Sequence, residues 1–183
     1  MATKFALFDT PLGVAGIAWG DHGIVGVQLP ELEAVRIRTR LRRRFPAAEE
    51  ATPSSEVRDA IAAIGRVLAG EPSDLSAIRL DMRRVPEFAQ RVYDIARTVK
   101  SGETLTYGQI AEQLGDKLLA RDVGQALARN PYPIVVPCHR VLAAGGKLGG
   151  FSAAGGVATK QRLLAIERAD VSWQLPLDAS GVC

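Results

Sequence analysis

The sequence predicts an α/β protein of the α+β kind, with a small N-terminal antiparallel-sheet domain and a mostly helical C-terminal domain that holds a helix-turn-helix. Three observations predict it. Short apolar runs between glycine and proline turns open the chain, as strands of a meander do. Longer stretches with apolar residues at helical spacing follow. Two short helical stretches then flank a tight connection around Lys117, and the second carries a polar face.

In order, Lys4–Thr10, Val14–Trp19 and Ile24–Leu29 read as strands, with turn chemistry at Pro11-Leu12-Gly13 and Gly20-Asp21-His22-Gly23. Glu31–Phe45 reads as a helix stopped by Pro46, with a run of arginines from Arg36 to Arg44 on its solvated side. Pro53–Gly70 is a second helix, with Val57, Ile61, Ile64 and Leu68 on one face. Leu75–Leu80 is expected to add a strand. Pro86–Lys100 is an amphipathic helix stopped by Ser101-Gly102. Thr106 and Gln109 fit a capping box at the start of a helix that ends at Gly115. Ala120–Arg129 follows, with Val123 and Leu127 inward and Arg121, Gln125 and Arg129 as an outward polar stripe. Ala158–Ala169 is the last helix and carries Glu167 one turn from Leu163 and Leu164.

Composition narrows the function classes. The hydrophobic content is 47% and the charged fraction 23%, as in ordinary globular proteins. No apolar run approaches a membrane span, and Met1-Ala2-Thr3-Lys4 opens no secretory signal, so a cytoplasmic protein without a membrane partner is expected. Two cysteines and two histidines without ligand spacing give neither a disulfide framework nor a metal site. Net charge is only +3, but Lys117 to Arg162 holds seven cations against Asp122 alone. A basic surface there suits a polyanion such as DNA.

The chemistry concentrates at Asn130-Pro131-Tyr132-Pro133-Ile134-Val135-Val136-Pro137-Cys138-His139-Arg140-Val141. Outside it the only other cysteine is Cys183 and the only other histidine is His22, which falls in a turn. A lone cysteine is ordinarily a small buried hydrophobe. Here it stands beside a histidine that can act as its base, and three prolines within seven residues fix the backbone around the sulfur. A thioether is a poor leaving group and no second thiol lies in the motif. A group transferred to Cys138 would therefore stay there.

The string Pro137-Cys138-His139-Arg140-Val141, after Asn130-Pro131 and an apolar run and before the glycine-rich loop Gly145–Phe151, resembles the active-site motif of the O6-alkylguanine-DNA alkyltransferases. Tyr107-Gly108-Gln109-Ile110-Ala111 and Ala120-Arg121-Asp122-Val123-Gly124-Gln125-Ala126 look like that family's helix-turn-helix segments. The resemblance runs from about Val85 to Ala169 and implies a boundary near Asp81–Val85, which divides the chain into 1–82, 83–170 and a tail, 171–183. It implies a monomer that binds double-stranded DNA through the minor groove, turns out O6-alkylguanine and moves the alkyl group irreversibly to Cys138. It also implies that no cofactor is needed, since the DNA supplies the group. O4-alkylthymine is a second expected substrate. His139 would be the base and Glu167 its partner. Tyr107 would press on the backbone and serve N3 of the base, while Arg121 would take the vacated place in the stack. The Ser152 N–H would serve O6, the carbonyls of Cys138 and Val141 the exocyclic amine, and Gln125 would contact DNA. Asn130 and Arg140 would support the site. The zinc of animal members is not carried over, since no cysteines stand in the N-terminal part. Two departures stand out: Asp122 follows the arginine, and the 151–157 loop is about two residues longer than in the animal form. A non-catalytic module that recognises alkylated bases is the rival reading, and the presence of Cys138 argues against it.

Overall fold

The computed structural model describes residues 3–169. The tail 171–183, with Cys183, lies outside them. Three strands form the expected meander: β1 (Lys4–Thr10), β2 (Gly13–Gly20) and β3 (Gly23–Glu31), paired antiparallel. Gly13 holds the first hairpin at φ +119°, and a Cβ there would sit 2.5 Å from the Glu31 carbonyl oxygen, so the turn needs glycine. The sheet order is β3-β2-β1-β4, where β4 (Glu49–Glu50) is a short parallel edge beside β1. Helix α1 (Ala34–Arg44) starts three residues later than the sequence suggests and buries Ile37 and Leu41 against the sheet. Three of its six arginines are paired: Arg36 with Glu33, Arg38 with Glu50 and Arg40 with Glu31.

Helix α2 (Ser55–Leu68) is capped by Ser54, whose side chain accepts from the Val57 N–H. The expected strand Leu75–Leu80 does not form. Only Leu80 bridges Ile24, while the Arg97 guanidinium donates to the carbonyls of Leu75, Ser76 and Ile78. A side-chain donor satisfies these backbone acceptors instead of a ladder.

Helix α3 (Glu87–Arg97) precedes the helix-turn-helix. Helix α4 (Tyr107–Gln113) has the full capping box: the Gln109 N–H donates to the Thr106 hydroxyl at 3.1 Å, and the Thr106 N–H donates to the Gln109 side chain at 2.7 Å. A 3₁₀ turn (Lys117–Leu119) leads into α5 (Ala120–Ala128). Strand β5 (Leu105–Thr106) pairs parallel with β6 (Val141–Leu142), and α6 (Gly156–Ile166) closes the described chain. The main apolar core is continuous from Ile17, Trp19 and Val27 of the sheet through Tyr93 and Ile110 to Val136 and Leu163. No helix among the described residues is long and apolar enough to cross a membrane.

The capping box sets where α4 begins, and therefore where Tyr107 stands. Thr106→Ala is expected to cost about 1 kcal/mol of stability, read as a lower urea midpoint with an unchanged slope. An unchanged midpoint would show that β5 alone fixes this junction.

Candidate active site

Cys138 sits at the first position of a 3₁₀ turn, Cys138–Arg140, at the floor of a cleft of about 520 Å³. One wall is α5 with Ala120, Arg121 and Gly124; another is Tyr107; the third is the loop Gly150-Phe151-Ser152. A larger cleft, about 600 Å³, is walled by Arg97, Lys100 and Pro137 and does not include Cys138.

The backbone is set by local hydrogen bonds. The Asn130 amide donates to the Val136 carbonyl at 2.8 Å, and its oxygen accepts from the Tyr132 N–H at 2.8 Å. The Val136 N–H donates to the Tyr132 carbonyl at 2.8 Å, which closes the loop just before Pro137 and Cys138. This tight path places Ile134 at φ +73°, a costly conformation for a β-branched residue. The surroundings enforce it, since Ile134 is fully buried.

Behind the cysteine lies a buried charge cluster. His139 Nε2 faces Glu167 Oε1 at 2.9 Å. Arg140 donates from Nε to Glu167 Oε2 at 2.9 Å and from Nη2 to Oε1 at 2.8 Å, while its Nη1 donates to the Val99 carbonyl at 2.6 Å. Glu167 is the C-cap of α6 rather than a residue of its last turn. Burial alone would raise the Glu167 carboxyl, but the hydrogen bonds from His139 and Arg140 overcome it and hold it at about 2. A carboxylate held ionised can only accept. His139 Nε2 therefore carries the proton, and Nδ1 is the ring nitrogen left to take one. Burial lowers the imidazole below its ordinary value, against the pull of Glu167, and so favours the neutral form a base requires.

Burial pushes the Cys138 thiol up; the Asn130 side chain, the Lys160 charge and nearby backbone N–H groups pull it down. Lys160 was counted from sequence as part of a basic surface. The structure corrects this. Lys160 is fully buried, and its Nζ donates to the carbonyls of Val141 and Leu148 at 2.6 Å each. Its Nζ also lies 5.8 Å from the Tyr107 ring centre. Burial lowers it to about 8, offset in part by Cys138. Arg140 is buried as well, so the surface cations around the site are fewer than the sequence count. Lys160 stands three and four residues before Leu163 and Leu164, on their inward face, and that spacing was the available signal.

The other expected residues divide. Tyr107, Arg121 and Ser152 line the Cys138 cleft. Gly149, at φ +68°, would put a Cβ 3.3 Å from the Tyr107 ring, so glycine lets the loop close over the tyrosine. The Ser152 hydroxyl donates to the Ala128 carbonyl at 2.7 Å, which fastens the loop to the end of α5. Val141 is fully buried in β6, with its carbonyl engaged by Lys160. Gln125 is not brought to this cleft; with Asp122 and Arg129 it lines a separate groove against Arg84 and Phe88. Asp122 makes no ion pair with Arg121 among the described residues and faces that second groove instead. No cluster of three or more His, Cys, Asp or Glu that could hold a metal occurs among the described residues.

Comparison with known proteins places the chain in a family. A family model described as "6-O-methylguanine DNA methyltransferase, DNA binding domain" matches residues 87–169. A methylated-DNA–protein-cysteine methyltransferase of Mycolicibacterium paratuberculosis is 49% identical over 168 residues, covering 90% of this chain and 92% of the relative. One from Methanothermobacter thermautotrophicus is 33% identical, covering 90% of this chain and 85% of the relative. Among solved structures, Mycobacterium tuberculosis O6-methylguanine methyltransferase superposes with a TM-score of 0.71 at 32% identity, covering 91% of this chain and 93% of that one. The Mycobacterium tuberculosis protein in complex with DNA gives 0.70 at 32% identity, covering 90% and 92%. Relatedness along nearly the whole chain, at these identities, settles the matter: the chain belongs to the methylated-DNA–protein-cysteine methyltransferase family.

Proposed function

We propose that the alkyl transfer of this family runs here from O6-alkylguanine in duplex DNA to Cys138, once per molecule. The observation that carries it is the placement of Cys138 on the floor of a cleft between the second helix of a helix-turn-helix and a glycine-rich loop, with a buried His139–Glu167–Arg140 cluster behind it. The target atom lies inside the base stack, so the base must be extruded at a cost of a few kcal/mol. Arg121, exposed at the cleft mouth, fills the vacated place, and the cleft receives the base.

His139 Nδ1 takes the thiol proton, directly or through a water, and Glu167 supports the imidazolium that results. The thiolate attacks the alkyl carbon. The S–C bond forms, the C–O6 bond breaks, and its electron pair stays on the guanine. The Ser152 N–H at O6 and the Tyr107 hydroxyl at N3 offset that charge. Burial, followed by the nearby Cys138, pushes the Tyr107 hydroxyl above its ordinary value and keeps it a donor. Lys160 helps the thiolate form and fixes the Val141 carbonyl that meets the exocyclic amine. Gln125 and Arg129 lie farther along α5 and meet the DNA backbone outside the pocket. Asn130 and Arg140 hold the frame.

On this reading the protein acts as a cytoplasmic monomer on DNA carrying O6-alkylguanine, with O4-alkylthymine as a second substrate and without a cofactor. The chain divides near residue 82 into a supporting part and the DNA-binding part.

Three outcomes are expected. Incubation with a duplex bearing one O6-methylguanine adds a single methyl group to the intact mass of the wild type and none to Cys138→Ser; binding without mass gain would favour the recognition-only reading. Lys160→Met slows iodoacetamide alkylation of Cys138 about tenfold at pH 7, equivalent to about 1.4 kcal/mol or one pKa unit. Lys160 sheds its proton above about pH 8, so the ratio to wild type should shrink as pH rises past that point; a constant ratio would deny Lys160 an electrostatic part. Glu167 has a folded-state value depressed below its unfolded one, so its contribution is present above about pH 4.5 and is lost as pH falls towards 2. That contribution amounts to about 3 kcal/mol at neutral pH. Glu167→Gln should therefore flatten the acid limb of the stability profile as well as slow the thiol; an unchanged limb would show that the cluster contributes no net stability.

A further inference from the structure

The large apolar side chains most exposed among the described residues include Leu118, at 87%. A single exposed leucine is ordinary on a protein surface. Three features set this one apart. It lies in the turn of the helix-turn-helix, within Lys117–Leu119. Its backbone is held: the Leu118 N–H donates to Asp116 Oδ1 at 2.8 Å, the Leu119 N–H to the Asp116 carbonyl at 3.1 Å, and the Asp116 N–H to the Ala111 carbonyl at 3.1 Å. Leu119 turns inward to the core, which leaves Leu118 directed outward. And it stands three residues before Arg121, which lines the Cys138 cleft.

Charge at this turn is already engaged. Lys117 pairs with Glu112 at 3.0 Å, and Asp116 is used as a cap. Beside this exposed ion pair the turn presents the Leu118 side chain, which suits the sugars and base edges of a groove rather than phosphates. Three residues of 3₁₀ and α-helix advance roughly 5 Å. Successive bases of one strand lie ~3.4 Å apart. With the turn running along the strand, a side chain that far from Arg121 would meet the step next to the one Arg121 fills. Proteins of the minor groove commonly place an apolar wedge at such a step and unstack it.

We propose that Leu118 is an apolar wedge for duplex DNA, packing against the base step beside the extruded nucleotide and lowering the cost of turning that nucleotide out. It is a positioning residue that acts on the DNA and does not touch the reacting atoms. The proposal rests on the alkyl-transfer reading above.

The test is single-turnover methyl transfer from an O6-methylguanine duplex, compared with transfer from the free O6-methylguanine base. A 2-aminopurine beside the lesion reports unstacking. Leu118→Ala should slow the duplex reaction about tenfold, leave the free-base reaction at the wild-type rate and lose the 2-aminopurine signal. The salt slope of DNA affinity should stay as in wild type, whereas Arg121→Ala should lower it. Leu118→Met should restore both rate and signal. An unchanged duplex rate in Leu118→Ala, or an equal loss on both substrates, would overturn the wedge. So would tighter binding with a steeper salt slope in Leu118→Lys, since that marks a phosphate contact. If the wild type transfers no methyl group from either substrate, the alkyl-transfer reading falls first, and the wedge with it.

Discussion

The buried Glu167 carboxylate is the interaction on which the rest of the site depends. Bringing an ion into a protein interior costs several kcal/mol unless partners repay it. Here it accepts from Arg140 twice and faces His139, with Arg140 tied onward to the Val99 carbonyl. The end of α6, the turn that carries Cys138 and the residues after α3 are thereby fastened at one point. The same contacts fix the chemistry. A carboxylate that cannot be protonated near neutral pH forces the His139 proton to Nε2 and leaves Nδ1 as the acceptor. Scaffold and reactivity are here one set of hydrogen bonds.

The N-terminal part bears on the site in part through one short segment. Pro131 offers its carbonyl to the Val27 N–H at 2.9 Å and to the Arg44 guanidinium at 3.3 Å. Next to it, the Tyr132 hydroxyl donates to the Asp81 carbonyl at 2.5 Å. These contacts hold Asn130–Tyr132 from outside while Asn130 closes the loop from inside. Between the two clamps the chain has no freedom to relax Ile134 out of its left-handed conformation. The sheet thus supports the cysteine without approaching it, which fits an apolar core that runs unbroken from one part to the other.

Much of this was legible in the sequence, for definable reasons. The meander and the helices follow from alternation, helical spacing and caps, all local signals; Thr106 and Gln109 form the capping box their spacing suggests. Cys138 and His139 stood out because so few other thiols or imidazoles exist. What failed was non-local. Nothing in Leu75–Leu80 says that Arg97 will satisfy its carbonyls in place of a strand partner. Lys160 was read by its charge, though its spacing to Leu163 and Leu164 already placed it on the inner face. The placement of Gln125 was likewise beyond local reading: it shares a helical stripe with Arg121, and four residues along α5 it lines a different groove. Periodicity says which face a residue lies on; it does not say what the neighbouring chain builds against that face.

A protein that spends its nucleophile once faces a requirement that a turnover enzyme does not: the thiol must not react before the right substrate arrives. Burial raises the Cys138 thiol and lowers the His139 imidazole, so both groups rest neutral. Lys160 and the Asn130 amide act in the opposite sense, and their help counts most when water has been displaced and the local dielectric falls. An extruded base that fills the cleft does that. Filling the cleft strengthens every charge interaction inside it, including that between Lys160 and a developing thiolate. The same filling adds to the desolvation that opposes a free thiolate, so the thiol gives up its proton to His139 as the alkyl carbon is attacked and negative charge passes on to the base.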